Sequence, residues 1–272
     1  MTEFRAQLEI VQLRGNISTH QSAPFNCKVL PFRSEAQTAN FDSLHDAINY
    51  LRFLTNKTQI RLLIIQYVEL DSEMLNELKR LTDCTIADIS ITGCDFDHCV
   101  QETFIDVFLR GPLQASRFNI TRLKGLHFDF FDDHFVDTLG ETDVKMLTVN
   151  FCSFAEAERS YIRISESCLL KWLLEEDPKR VDHRCLSFTE LKLDSDFAAK
   201  VVKRFFSTCD PRPVTFVVAG DCDQAPIEGV ASLDRRNAPC ARIQHPNGKV
   251  HLRIGNYSND RVEFVVCVNE QA

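Results

Sequence analysis

The sequence predicts an α/β protein built from strand–helix units, and three observations carry this prediction. A short hydrophobic template recurs in the middle of the chain, and segments with helical spacing of apolar residues follow its copies. Near the end of the chain, an Asn247-Gly248 pair separates two alternating segments, which is a hairpin signal. With 272 residues, 44% of them hydrophobic and 26% charged, the chain has the composition of a globular protein.

The template is apolar-x-apolar-x-x-apolar, and it predicts four short strands. Its copies begin at Leu63, Ile89, Leu126 and Leu147, in the segments LLIIQYVEL, ISITGCDF, LHFDFF and LTVNFCSF. The intervals are 26, 37 and 21 residues, so the second unit requires an insertion. Leucine-rich repeats of roughly 20 to 29 residues share this signature and carry Asn or Cys where Cys94 and Cys152 stand. We therefore predict a leucine-rich-repeat-like solenoid, with an ordinary α/β domain as the alternative.

A helix is expected after each of the first three strands, because the chain must turn back over the core that the strand residues face. The segments are DSEMLNELKRL, CVQETFIDVFL and the shorter DDHFVDTLG, which ends on a glycine. Asp71 or Ser72 suits the N-cap of the first. One unit cannot bury its apolar face alone, so the units are expected to stack.

Three regions are predicted from these patterns. Residues 1–59 form an N-terminal cap of two strands and a helix with Asp42 or Ser43 as its cap, and residues 60–210 form the strand–helix units. Residues 211–272 form a small antiparallel α+β cap at the C-terminus, which includes the hairpin and a closing strand, VEFVVCV.

Charge and hydrophobicity exclude several classes of function. The formal net charge of −8 argues against non-specific nucleic-acid binding, and the chain has no apolar run long enough to span a membrane. The first fifteen residues contain no apolar core of a signal peptide, so we expect an intracellular protein, cytoplasmic or nuclear. In that setting the 11 cysteines are expected to be free thiols. The oligomeric state is left open.

The closing segments resemble a known family. The runs SESCLLKWLL and FTELKLDSDFAAKVVKRFF, the LTVNFCSF-type strands and the 21 phenylalanines are similar to the C-terminal leucine-rich, F-box-associated regions of a large nematode family. Members carry an N-terminal F-box that docks a ubiquitin-ligase scaffold. Here PFRSEAQTANFDSLHDAINYLRFL lacks the opening Leu-Pro and closing Ile-Phe of that module. The resemblance therefore implies recognition of a substrate or protein partner.

The candidate site is the outward face of the predicted strands. Between the core-facing residues, small polar side chains are expected to line up across a concave sheet, which solenoids use to bind extended partners. The predicted partner-binding residues are Gln66, Ser90, Thr92, His127, Asp129, Thr148 and Asn150, with Ile64, Ser187 and Thr189 as neighbours in the rows. The loop 220–241 is a second candidate surface.

Signatures of catalysis are absent from the sequence. No G-x-S-x-G, G-x-x-x-x-G-K-[ST], G-x-G-x-x-G or H-E-x-x-H motif occurs, so we predict a protein that is not an enzyme and needs no cofactor. The alternative is a metal-dependent hydrolase that uses the acidic cluster Asp129, Asp132, Asp133, His134 and Asp137. For the two carboxylates of Asp132 and Asp133, capping of a short helix is the favoured interpretation. Cys84, Cys94, His98 and Cys99 lack the paired spacing of a zinc site.

Overall fold

The fold is taken from a computed structural model, which describes residues 7–15, 25–82, 84–122, 125, 130–150, 163–174, 184–188, 191, 193–194, 196–219, 240–258 and 261–269. The chain forms two compact units, and it is an α/β protein, as predicted. Unit 1 comprises Met1–Phe130 and Glu141–Glu156, and unit 2 comprises Phe131–Gly140 and Ala157–Ala272. Among the described residues, no helix is long and apolar enough to cross a membrane.

Unit 1 is a mixed sheet with helices. In chain order its elements are β1 (Gln7–Arg14), β2 (Phe25–Pro31), β3 (Gln37–Phe41), α1 (Leu44–Thr55), β4 (Gln59–Gln66), α2 (Ser72–Leu78), β5 (Thr85–Thr92), α3 (Gln101–Phe108), β6 (Ala115–Thr121) and β7 (Met146–Asn150). The spatial order of the strands is β3-β2-β1-β4-β5-β6-β7. Strands β1, β4, β5, β6 and β7 run parallel, and β2 and β3 continue the sheet in antiparallel pairing. The N-terminal segment thus contributes a third strand, β3.

The third repeat strand lies earlier in the chain than the template predicted. The position between β5 and β7, which the template assigned to a strand at 126–131, is occupied by β6. Residues 126–129 lie outside the described part of the chain. Phe130 and Phe131 are buried, and neither is part of a strand. Residues 118–123, FNITRL, fit the same template. With Phe118 aligned to Ile89 and Leu147, the intervals become 26, 29 and 29 residues, and no insertion is needed.

The same backbone turn follows three of the parallel strands. Tyr67, Gly93 and Arg122 each come directly after a strand, with φ of 54°, 66° and 56°. Their N–H groups donate to the neighbouring strand: Tyr67 to the Thr92 carbonyl at 3.1 Å, Gly93 to Thr121 at 3.0 Å and Arg122 to Asn150 at 3.2 Å. The left-handed conformation therefore turns the chain out of the sheet at the same register each time.

One face of the unit 1 sheet is hydrophobic core. The residues of the template that point inward are each no more than 2% exposed: Leu63, Ile65, Ile89, Ile91, Phe118, Ile120, Leu147 and Val149. Apolar side chains of the helices are buried as well, including Ile48 and Leu51 on α1 and Leu75 and Leu78 on α2. Phe96, Phe104, Phe108, Phe118 and Phe130 form tilted and edge-to-face ring pairs within this core.

Unit 2 also consists of strands and helices with buried hydrophobic side chains between them. Its elements are α4 (Asp133–Gly140), α5 (Glu166–Leu174), β8 (Arg184–Phe188), α6 (Phe197–Ser207), β9 (Val214–Ala219), β10 (Cys240–Gln244), β11 (Val250–Ser258) and β12 (Arg261–Val268), with strand order β8-β9-β12-β11-β10. Strands β8 and β9 are parallel, and the other pairs are antiparallel. The predicted hairpin is confirmed, because Gly248 turns with φ 71° between β10 and β11. Trp172 is buried in the core, as its spacing indicated.

Candidate functional site

Five of the predicted binding residues lie together on the open face, which is the side of the unit 1 strands opposite the hydrophobic core. Gln66, Thr92 and Asn150 are the last residues of β4, β5 and β7, and they form one row across the strands. Ser90 and Thr148 form a second row, two residues earlier on their strands. All five side chains are half-buried, so the face offers polar atoms that are held in place and still reach solvent.

The other two predicted residues, His127 and Asp129, lie outside the described residues. Their expected places in the rows are occupied by residues of β6. Asn119 pairs with Ser90 and Thr148, and Thr121 pairs with Thr92 and Asn150. The correction follows from the position of β6, and Phe118, Ile120 and Leu123 were the sequence signal that would have located it.

The rows extend further than the sequence indicated, because β1 joins them. Gln12 and Arg14 pair with Ile64 and Gln66, and the Gln12 side-chain amide donates to Gln66 Oε1 at 2.8 Å. Strands β1 and β4 pair in parallel although they lie more than fifty residues apart in the chain, so a local sequence pattern cannot predict the pairing. Of the remaining neighbours named from sequence, Ser187 lies in β8 of unit 2 and Thr189 is outside the described residues.

Hydroxyl groups link the centre of the open face. Ser90 Oγ lies 3.3 Å from Thr92 Oγ1, which lies 3.1 Å from Thr121 Oγ1 on the next strand. Each hydroxyl has one donor and two acceptor positions, so these three hydroxyl groups can make further hydrogen bonds to a ligand. Such a surface can hydrogen-bond the amides and polar side chains of a polypeptide.

Arginine side chains flank the rows at the end of the strands. The Arg14 guanidinium lies 5.2 Å from the centroid of the Tyr67 ring, a cation–π distance. A Cβ on Gly93 would lie 2.6 Å from the same ring, so Tyr67 covers the strand end between β1 and β5. Arg122 occupies the position on β6 that Tyr67 occupies on β4, and its side chain is exposed.

The acidic cluster offered as a metal site is engaged in structural contacts. Asp132 accepts a hydrogen bond from the Phe135 amide at 2.9 Å and thereby caps α4. Asp133 accepts from the amide and hydroxyl of Ser165 at 2.6 and 2.7 Å, and Asp137 pairs with Lys171 at 2.9 Å. Asp129 lies outside the described residues. The three described carboxylates thus bind different partners, and the geometry favours capping and packing roles for them.

The thiols considered for zinc are buried, whereas the histidine beside them is exposed. Cys94 donates to the Ile65 carbonyl at 3.6 Å and Cys84 to the Leu81 carbonyl at 3.6 Å. Burial raises the pKa of the Cys94 and Cys99 thiols to about 12. The His98 side chain is 69% exposed, with Glu69 and Asp97 as its neighbours.

A different acidic group meets the distance criterion for a metal site, but a lysine occupies its centre. Within the described residues, Glu166, Asp194 and Asp196 alone bring three ligand-type atoms within 4.8 Å of one another. Lys200 Nζ lies 2.6, 3.1 and 2.8 Å from these three carboxylates. Lys200 donates hydrogen bonds to Asp196, Glu166 and Asp194, which raise its pKa, so an ammonium group already occupies the place of a cation.

Comparison of the chain with protein-family models, with curated proteins and with solved structures finds no match. Loop 220–241, the second candidate surface, lies outside the described residues up to the first residues of β10. The open face is therefore the strongest candidate site among the described residues. It consists of Gln12, Arg14, Gln66, Ser90, Thr92, Asn119, Thr121, Thr148 and Asn150.

Proposed function

We propose that this chain is a non-enzymatic protein-interaction module that binds an extended segment of a protein partner on the open face. The observation that carries the proposal is the alignment of half-buried polar side chains, such as Gln66, Thr92 and Asn150, across parallel strands. Strands hold side chains rigidly, so the polar groups lose little entropy when a partner hydrogen-bonds to them.

For unit 1 we propose a more specific architecture than α/β, a leucine-rich-repeat-like solenoid. The support is the spacing of 26, 29 and 29 residues between Leu63, Ile89, Phe118 and Leu147, which lies within about the 20–29 residues of such repeats. The equivalent hydrogen bonds made by Tyr67, Gly93 and Arg122 add to it. Proteins of this architecture use the strand face as their working surface.

The resemblance to F-box-associated regions suggests the setting for this activity. We propose recognition of a substrate or partner within a ubiquitin-ligase-type or other intracellular complex, in the cytoplasm or nucleus. The proposal needs no cofactor, membrane or nucleic acid.

Blocking the open face tests the proposal. Thr92→Arg and Asn150→Arg place a long charged side chain in the central row, while Thr85→Arg makes the same change seven residues before Thr92, where the side chain is exposed at the other end of β5. We expect the full chain to capture linear peptides from a random displayed library, and the two face variants to lose them while Thr85→Arg retains them. Equal retention by all three variants would remove the open face as the docking site.

The metal-dependent hydrolase makes a different prediction. It requires stoichiometric bound metal that Asp133→Asn abolishes, whereas the structural role expects Asp133→Asn to weaken the link to Ser165 and change only stability. Elemental analysis of the purified protein and its variant, together with thermal unfolding, separates the two.

A further inference from the structure

The open face and its margins carry positive charge, although the chain as a whole has a formal charge of −8. Arg14 ends β1, Lys28 lies on β2 in register with Gln12, and Arg122 follows β6. All three side chains are exposed, and none of them makes an ion pair within the part of the chain that the structure describes.

The carboxylates on the same strands are already neutralised. Asp88 accepts two hydrogen bonds from the Arg117 guanidinium, one of them at 2.6 Å, and these raise the pKa of Arg117. Glu9 pairs with Arg61 at 3.0 Å. Both pairs lie toward the start of their strands, so the charged residues on β1 and β2 that remain without an ion partner among the described residues are Arg14 and Lys28.

Spacing between the cations fits an extended polypeptide. Arg14 and Arg122 are separated by three strand spacings, about 14 Å, and an extended chain covers this distance in about four residues. Lys28 lies one strand spacing, about 5 Å, beyond Arg14. Between Arg14 and Arg122 lie Gln66, Thr92 and Thr121, which offer hydrogen bonds to the peptide groups.

Acidic residues in the turns define where such a segment can run. Glu69, Asp95 and Asp97 follow the ends of β4 and β5, beyond Tyr67 and Gly93. A polyanion that followed the turns would meet these carboxylates, whereas one that crosses the strand ends meets Arg14 and Arg122. The charge pattern therefore selects a path across the strands.

We infer that the open face recognises an extended peptide with acidic side chains about four residues apart, which contact Arg14 and Arg122. This inference rests on the proposed function and adds the chemistry of the partner. A short acidic segment fits three separated cations better than a nucleic acid, whose binding grows with the number of phosphates neutralised.

Selection from a random library of linear 12-residue peptides tests the inference on the full chain. We expect the retained peptides to be enriched in Asp and Glu at a spacing of about four. A synthetic peptide of the retained sequence should bind in fluorescence anisotropy, and Arg14→Gln with Arg122→Gln should weaken it about tenfold. Arg52→Gln, at an exposed position on α1, is the matched control and should leave binding unchanged.

Salt provides a second measurement that needs no variant. Binding of the acidic peptide to the wild-type chain should weaken as NaCl rises from about 50 to 500 mM, because the charges are exposed. A salt-independent affinity would overturn the inference.

The remaining outcomes separate the two levels of the proposal. Retention of peptides without acidic enrichment, lost in Thr92→Arg, would overturn the acidic partner and leave the docking function in place. If the resin that carries the protein retained no more peptide than uncoated resin, both the docking function and the acidic partner would be overturned. Tighter binding of a 12-residue uridine oligonucleotide than of the acidic peptide would replace the partner class with RNA.

Discussion

Thr92 Oγ1 lies 3.1 Å from Thr121 Oγ1, across strands β5 and β6. The two residues are a register pair, and each is the last residue of its strand. The pair joins a residue that the sequence assigned to the candidate site with one that it did not. Its position in the middle of the row makes Thr121 as central to the open face as Thr92.

Thr121→Arg is therefore expected to block peptide binding as strongly as Thr92→Arg. The new side chain would stand over the row between Thr92 and Asn150, while its β-strand backbone pairing remains. Binding of a selected peptide, measured by fluorescence anisotropy, checks this. Thr121→Val, which removes only the hydroxyl, is the companion variant, and we expect it to change stability by less than about 1 kcal/mol. Unchanged binding in Thr121→Arg would place the docking surface elsewhere.

Gly93→Ala is expected to destabilise unit 1 by about 1–2 kcal/mol. Gly93 has φ 66°, where an L-residue is strained, and an added Cβ would lie 2.6 Å from a carbon of the Tyr67 ring. Urea unfolding followed by circular dichroism measures the change.

Gly140→Ala is the control for the glycine substitution. Gly140 ends α4, and a Cβ there would meet nothing within 4 Å. We expect this variant to match or exceed the wild-type urea midpoint, because alanine favours the helix. Equal losses in both variants would mean that the turn after β5 is not strained.

The open-face residues were predictable on the strands where the sequence template coincides with the observed strand. Ile65, Ile91 and Val149 point into the core, so the residue after each must leave it, and Gln66, Thr92 and Asn150 do. This follows from the two-residue period of a strand alone.

Two features needed information that a local pattern does not contain. LHFDFF and FNITRL both fit the template, but only FNITRL, whose first four residues lie in β6, gives the regular spacing that the register shows. Strand β1 pairs in parallel with β4 although β2 and β3 intervene in the chain. Such non-local pairing is set by the whole core, so the contribution of Gln12 and Arg14 was missed.

Helix caps give a pair of opposite predictions. Asp71 caps α2 by accepting from the Met74 amide at 2.8 Å, and Asp71→Ala is expected to cost about 1 kcal/mol. The cap position of α3 is Val100, which is 50% exposed and provides no side-chain acceptor. Its extended φ and ψ of −87° and 122° suit a cap, so Val100→Ser is expected to stabilise by about 0.5–1 kcal/mol. Urea midpoints that moved in the same direction would contradict the assignment of the caps.

Thiol reactivity should follow burial. Burial raises the pKa of the Cys27, Cys94 and Cys99 thiols to about 12, so almost no thiolate forms at neutral pH. Cys209 is exposed. Iodoacetamide at pH 8, followed by peptide mass spectrometry, should modify Cys209 in the folded protein and the other three only after addition of urea. Rapid modification of Cys94 without urea would mean that the strand ends open readily.

The same thiols should make the protein less stable in alkali. An unfolded thiol loses its proton near pH 9.0, whereas the buried Cys94 thiol keeps it up to about pH 12. Over this interval the folded state binds more protons than the unfolded state, so the free energy of unfolding falls as pH rises from about 9. We expect the urea midpoint to be lower at pH 10 than at pH 8, and Cys94→Ala to reduce the difference. Cys209→Ala, at an exposed position, should leave the difference unchanged. If Cys94→Ala lost as much stability between the two pH values as the wild type, the alkaline sensitivity would belong to other groups.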